Sequence, residues 1–179
     1  MCPEITDEGG TPGPKRLTFS NFVELSDRIN DTGAQVSITA IRAYVENIGD
    51  NAVNAKAEVY SLSGTTMTKQ YEGDVLSVPK SGAQWRDFPI SFTWANGVTY
   101  WIGVFGAKGT YSGIPNSSVL YVYFIEVETK RETYKGAVYP TAPASFSTAG
   151  QQDTHNLNVA AVYEVAVLAS KRLLVGVGI

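Results

Sequence analysis

From residue 17 onward the chain is a succession of short apolar or alternating runs separated by turn-forming residues, the pattern of half-buried strands. Residues 17–25 predict the first of these. Residues 36–46, VSITAIRAYVE, predict a long strand between two turn signals, Asp31-Thr32-Gly33 and Asn47-Ile48-Gly49-Asp50-Asn51. In 55–62, Ala57 and Val59 alternate with Lys56, Glu58 and Tyr60, so one apolar and one polar face are expected. A short strand at 74–78 follows. In 85–92, Trp85 and Phe88 stand at opposite parity, which predicts a bulge near Asp87 or Pro89 and an edge position or a kink.

Residues 98–105 (VTYWIGVF) and 119–127 (VLYVYFIEV) are apolar on both faces, as central strands covered from two sides would be. Residues 158–168 predict another strand and 172–179 a last one. No segment carries an amphipathic helical period, and no repeat of 20 to 50 residues is present. About eight to ten antiparallel strands hide their edges only by closure or by packing as two sheets. The expected fold is therefore all-β, an antiparallel two-sheet sandwich of jelly-roll type.

Composition agrees with that pattern: ten Tyr and abundant Gly, Val, Thr and Ser accompany few Met in 179 residues, a length suited to one domain. Residues 1–16, MCPEITDEGGTPGPKR, hold three prolines and three glycines and almost no bulky apolar side chain. They read as a flexible or assembly-ordered arm, and 17–179 as a single β-sandwich domain. With 14 Lys plus Arg against 17 Asp plus Glu, and the basic residues scattered, the chain lacks the clustered positive face that tracks phosphates. Nucleic acid is not an expected partner. No stretch is apolar enough to span a membrane: residues 157–179 are interrupted by Glu164, Lys171 and Arg172.

The chemical inventory is small. Cys2 has no second cysteine to pair with, and one histidine with one cysteine cannot build a Cys/His zinc site or a histidine-rich catalytic shell, so no metal and no cofactor are expected. Cys2 directly after Met1 also admits a lipidated N-terminus, although no charged and apolar leader accompanies it. His155 lies in the polar stretch Gln151-Gln152-Asp153-Thr154-His155-Asn156, without a GxSxG elbow, and is expected to bond locally. Asp87, Glu126, Glu128 and Glu132 are the best carboxylates for a glycosidase pair, but each reads more simply as a surface charge. Asp27, Asn30 and Asp31, or Asp50 and Asn51, offer loop oxygens to calcium at spacings that are ordinary turn chemistry. The aromatics hold more promise. Trp94, Tyr111, Tyr134 and Tyr139 fall in or beside expected loops, where an exposed ring can stack on a sugar or anchor an interface, whereas Trp85, Tyr100, Trp101, Tyr121 and Tyr123 are expected in the core.

Residues 58–64 (EVYSLSG), 85–88 (WRDF) and 97–104 (GVTYWIGV), with AVYPTAPASFSTAG at 137–150, resemble the carbohydrate-binding-like jelly-roll modules found in secreted prokaryotic proteins and phage structural proteins. The resemblance spans residues 36–165. It implies a β-sandwich with Trp85 and Trp101 in the core, and it carries no catalytic residue. Two functions follow as expectations. One is a non-enzymatic structural or assembly protein, a virion decoration, capsid-associated or tail component that meets itself or other structural subunits through its N-terminal arm and C-terminal strand. The other is a secreted or surface-anchored carbohydrate-binding module. The corresponding locations are a virion or the cell surface, with no signal peptide visible in the chain.

Overall fold

The computed structural model describes residues 4–5, 15–127, 131–150 and 152–164. The described residues are all-β, 70% strand, with no helix among them. In chain order the strands are β1 (Glu4–Ile5), β2 (Lys15–Thr18), β3 (Phe22–Ile29), β4 (Val36–Asn47), β5 (Val53–Ser63) and β6 (Thr66–Glu72). Next come β7 (Leu76–Val78), β8 (Ser81–Trp94), β9 (Thr99–Gly106), β10 (Gly109–Tyr111), β11 (Ile114–Ser117) and β12 (Leu120–Glu126). The series ends with β13 (Glu132–Gly136), β14 (Ser145–Ser147), β15 (Gln152–Asp153), β16 (His155–Leu157) and β17 (Val159–Glu164).

Two antiparallel sheets face each other. The first runs β1-β17-β4-β12-β16, with β2 also on β12 and β8 on the other side of β4; the second runs β14-β6-β5-β9-β3-β13-β15, with β7 also on β5. β10 and β11 form a separate hairpin. Within the first sheet β4 and β12 pair only from Asn47↔Leu120 to Val45↔Val122. Beyond that point they part, and the following chain fills the fork, with β16 along β12 and β17 along β4. At the apex the Asn158 N–H donates to Tyr123 O (2.8 Å) and its C=O accepts from the Tyr44 N–H (3.0 Å), so no backbone group is orphaned where the sheet splits. The fork curls the sheet and carries β16 against β3 and β13 of the opposite sheet.

Between the sheets lies the main core, with Ile38, Ile41, Phe88, Trp94, Ile102, Val104, Leu120 and Val122 among its members. A second core of Val23, Leu25, Tyr60, Met67, Trp101 and Phe105 lies on the outer face of the second sheet, under Ala142 and Phe146. Tyr60 Oη donates to Pro143 O at 2.6 Å and pins that cover down. This is why β9, the middle strand of the second sheet, is apolar on both faces, as its sequence requires. The same cover corrects the expected polar face of β5, because Lys56, Glu58 and Tyr60 are all buried beneath it. At Gly103 the backbone of β3 passes so close that a Cβ would overlap the carbonyl oxygen of Glu24, which demands glycine inside a central strand.

The bulge in β8 falls directly after Pro89: Ile90 and Ser91 together oppose Thr39, between the pairs Phe92↔Ile38 and Pro89↔Ala40. β8 is an edge strand, as a proline within it requires, and among the described residues it pairs only with β4. Parts of the expected arm belong to the first sheet. Ile5 is buried in the core and pairs with Ala161, Glu4 bonds Arg42, and Lys15 to Thr18 pair with β12, since β17 and β12 leave edges that the arm can satisfy. The expected strand at 172–179 and the end of that at 158–168 lie outside the described residues, as does Cys2. No helix among the described residues is long and apolar enough to cross a membrane.

Candidate functional site at the seam of the sheets

Strand β3 is polar where it faces the other sheet. Val23 and Leu25 point into the outer core, so the period of two turns Glu24, Ser26 and Arg28 inward, and all three are buried. Such a row needs partners. Arg28 finds them at the fork: Nη2 donates to Leu157 O (2.6 Å), Nε to Val159 O (3.1 Å) and Nη1 to Asp27 O (2.6 Å). Burial lowers its pKa to about 10, so it remains charged at neutral pH while it ties β3 to both sides of the Asn158 bend. Ser26 Oγ donates to Arg131 O at 2.6 Å, at the entry to β13.

Register then assembles a second cluster. Ser26 pairs with Glu132, which pairs with Asp153, giving one row across β3, β13 and β15, while Glu24 lies opposite Tyr134 on the same face. From the facing sheet β16 delivers His155, whose Nδ1 lies 2.6 Å from Glu132 Oε2 and 3.8 Å from Asp153 Oδ2. The Phe124 ring, 4.0 Å away between centroids, backs the imidazole. These four polar side chains, with Leu17, Thr18, Phe22 and Tyr134, line a cavity of about 250 Å3.

The pocket is acidic, with no Lys or Arg among the described residues of its wall. Glu24 is 5% exposed and Glu132 1%, and no donor reaches Glu24 Oε2 or Glu132 Oε1. Burial first, then the hydrogen bond and repulsion from Glu132, holds the Glu24 carboxyl well above the ordinary range. Glu24 therefore holds its proton more tightly than an exposed carboxyl does. The carboxylate oxygens of Glu132 and Asp153 and a ring nitrogen of His155 all lie within 4.8 Å of one another, a spacing at which they can converge on one cation.

The residues singled out in the sequence part company here. Of the three described carboxylates only Glu132 reaches the pocket: Asp87 takes a two-pronged pair from Arg42 (2.5 and 2.8 Å) and Glu126 pairs with Lys15; Glu128 lies outside the described residues. His155 is not confined to a local bond; it stands in β16 and binds a glutamate 23 positions earlier in the chain. Glu24 and Asp153 escape the sequence reading. A signal for Glu24 exists in the alternation of Glu24-Ser26-Arg28 with Val23 and Leu25, which buries one row or the other; both are buried here because the second sheet is covered outside. Of the loop oxygens expected as turn chemistry, Asp27 stands instead in β3 and accepts from Arg131 Nε at 2.8 Å, while Asn30 and Asp50 serve turns. Asn30 Oδ1 accepts from the Thr32 N–H (3.2 Å), and the Asp50 carboxylate takes the N–H groups of Ser112 (3.2 Å) and Gly113 (2.9 Å) in the β10–β11 hairpin.

The aromatic set also divides. Trp94 is a correction: it is 0% exposed at the end of β8, its Nε1 donating to Val98 O at 2.8 Å, because the period of two along β8 turns Phe88, Ile90, Phe92 and Trp94 all to the core. Tyr111 is exposed on the β10–β11 hairpin, Tyr134 is exposed at the acidic pocket, and Tyr139 packs on Phe105 (5.3 Å). Tyr139 also lines a separate groove of about 380 Å3 with Asn51, Asn54, Lys108 and Thr110. Trp85 corrects the opposite expectation. It is 36% exposed on the outer face of the first sheet, where Tyr44 meets both Trp85 and Tyr123 edge-on at 5.3 Å and Arg16 stacks over Tyr121 at 4.3 Å. No family model matches the chain, and no curated protein and no solved structure matches it.

Proposed function

We propose that the chain is a non-enzymatic structural and assembly protein on a jelly-roll tile, a virion decoration, capsid-associated or tail component of a phage or prokaryotic virus. The observation that carries this reading is the face beside β8. Register pairs Arg16 with Tyr123 and Tyr44 with Trp85, the Tyr44 and Tyr123 rings meet edge-on at 5.3 Å across the fork, and β8, 14 residues long, has no strand beyond it among the described residues, its outer edge engaged at Pro89 O by the Asp74 N–H (3.0 Å). Aromatic and arginine side chains are the common anchors of protein interfaces, and a free edge adds backbone pairing to them. Of the expected N-terminal clasp, Glu4 and Ile5 pair with Val162 and Ala161 of β17, the last described strand. Sedimentation of the full chain at 1 to 100 µM is the test. Self-association that Trp85→Ala weakens at least about tenfold supports the reading. A monomer throughout that range, together with a glycan-array hit, overturns it.

The second reading, a secreted or surface-anchored carbohydrate-binding module, has its own support in the Tyr139 groove. There an aromatic ring stands beside Asn51, Asn54, Lys108 and Thr110, the mixture of a stacking face and hydrogen-bonding groups that holds a sugar. On the array, binding abolished by Tyr139→Ala and untouched by Trp85→Ala distinguishes it from the first.

A further inference from the structure

We infer that the acidic pocket at the seam is a binding site for one divalent transition-metal cation of zinc's class, held by Glu132, Asp153 and His155. The inference is independent of the proposed assembly role. It starts from geometry: β13, β15 and β16 place three ligand atoms within 4.8 Å of one another at the mouth of a cavity. Around Zn2+, with bonds of about 2.0–2.2 Å, tetrahedral ligand atoms lie roughly 3.3 Å apart. The closest pair, His155 Nδ1 and Glu132 Oε2, has only to open from 2.6 Å, and Asp153 has to close from 3.8 Å, which its half-exposed side chain is free to do.

A second observation, outside the three ligands, points the same way. Glu24 lines the same cavity, is 5% exposed, and its Oε2 meets no donor. Two buried carboxyls and a third at the mouth meet here, and no Lys or Arg stands among the described residues of the wall. A bound dication pairs with these carboxyl oxygens. The ligand types then select the ion. One imidazole with two carboxylates suits zinc and its neighbours, whereas Ca2+ needs six to eight oxygens and Mg2+ six at octahedral geometry. Phe124 against the imidazole holds the ring in place for that bond.

The experiment uses the full chain with Cys2→Ser, which removes the one thiol that could capture zinc elsewhere. After chelation and dialysis it is titrated calorimetrically with ZnCl2, and then with CoCl2 while the visible spectrum is followed. One zinc per chain at a dissociation constant of about 10 µM or tighter is expected, with the Co2+ absorption of a four-coordinate N/O site. Asp153→Asn, which alters an exposed side chain and leaves the core untouched, weakens binding at least about tenfold; His155→Gln and Glu132→Gln weaken it further. Glu126→Gln, an exposed carboxylate beside His155 in the β12–β16 ladder, leaves it unchanged. Millimolar Ca2+ or Mg2+ does not displace the zinc. Absence of binding at 1 mM Zn2+, or affinity that survives both Asp153→Asn and His155→Gln, overturns the site, and displacement by equimolar Ca2+ overturns the cation class.

Discussion

Replacing Glu58 by glutamine stabilises the protein at alkaline pH and does nothing at acid pH. Glu58 is fully buried in β5 beneath the 137–147 cover; neither carboxylate oxygen has a donor, and Lys56 Nζ at 3.6 Å is beyond hydrogen-bond reach of Oε1. Burial pushes the carboxyl from the ordinary 4.5 up to about 7, with the nearby Lys69 and Lys56 ammoniums opposing that rise and Glu72 adding to it. A carboxyl with a raised folded pKa binds its proton more tightly in the native state. Stability is therefore greatest below about pH 4.5, falls between there and pH 7, and lacks the full increment above. At ~1.4 kcal/mol for each tenfold change in proton affinity, the ionised group costs about 3 kcal/mol. Glu58→Gln keeps the shape and removes the charge, and Lys56 retains Glu72 at 2.5 Å. Urea unfolding of both chains at pH 4.5, 6, 7 and 8, followed by tryptophan fluorescence, should give a difference near zero at pH 4.5 that grows to about 3 kcal/mol in favour of the variant at pH 8. A variant that is less stable at pH 8 than the parent, or a difference that does not change with pH, shows that the Lys56–Glu58 attraction outweighs burial and refutes the reasoning.

Other substitutions separate core from surface. Trp94→Ala costs about 3–5 kcal/mol in urea unfolding, since it empties a closed part of the core and removes the Nε1 bond to Val98 O, while the partly exposed Trp85→Ala costs about 1 kcal/mol. Equal costs would mean that the two rings are not buried differently. Gly103→Ala forces β9 away from β3 and lowers stability by more than about 3 kcal/mol, read as loss of soluble, cooperatively unfolding protein; a variant that folds like the parent contradicts the close approach at Glu24 O.

Local pattern carried the strands themselves. The period of two marks β4 and β5, an unbroken apolar run marks β9, and Pro89 marks both the bulge and the edge, because these are properties of a few successive residues and their backbone angles. The doubly apolar run at β9 even announces that its sheet is covered on both sides. What pattern could not say is which surface receives a cover. Residues 137–147 lie over the second sheet and bury Lys56, Glu58 and Tyr60, while the first sheet's outer face leaves Trp85 exposed and Tyr44 half-buried. Exposure of an alternating strand depends on what lies above it, and that is decided by chain far away. The site is further still from local sequence. Glu24, Glu132, Asp153 and His155 come from four strands, joined by the registers of β3, β13 and β15 and by the fork that swings β16 across to the opposite sheet. Strand register and sheet curl arise from long-range pairing, so residue types alone yield a lone histidine and scattered acids, and only the tertiary structure makes them a pocket.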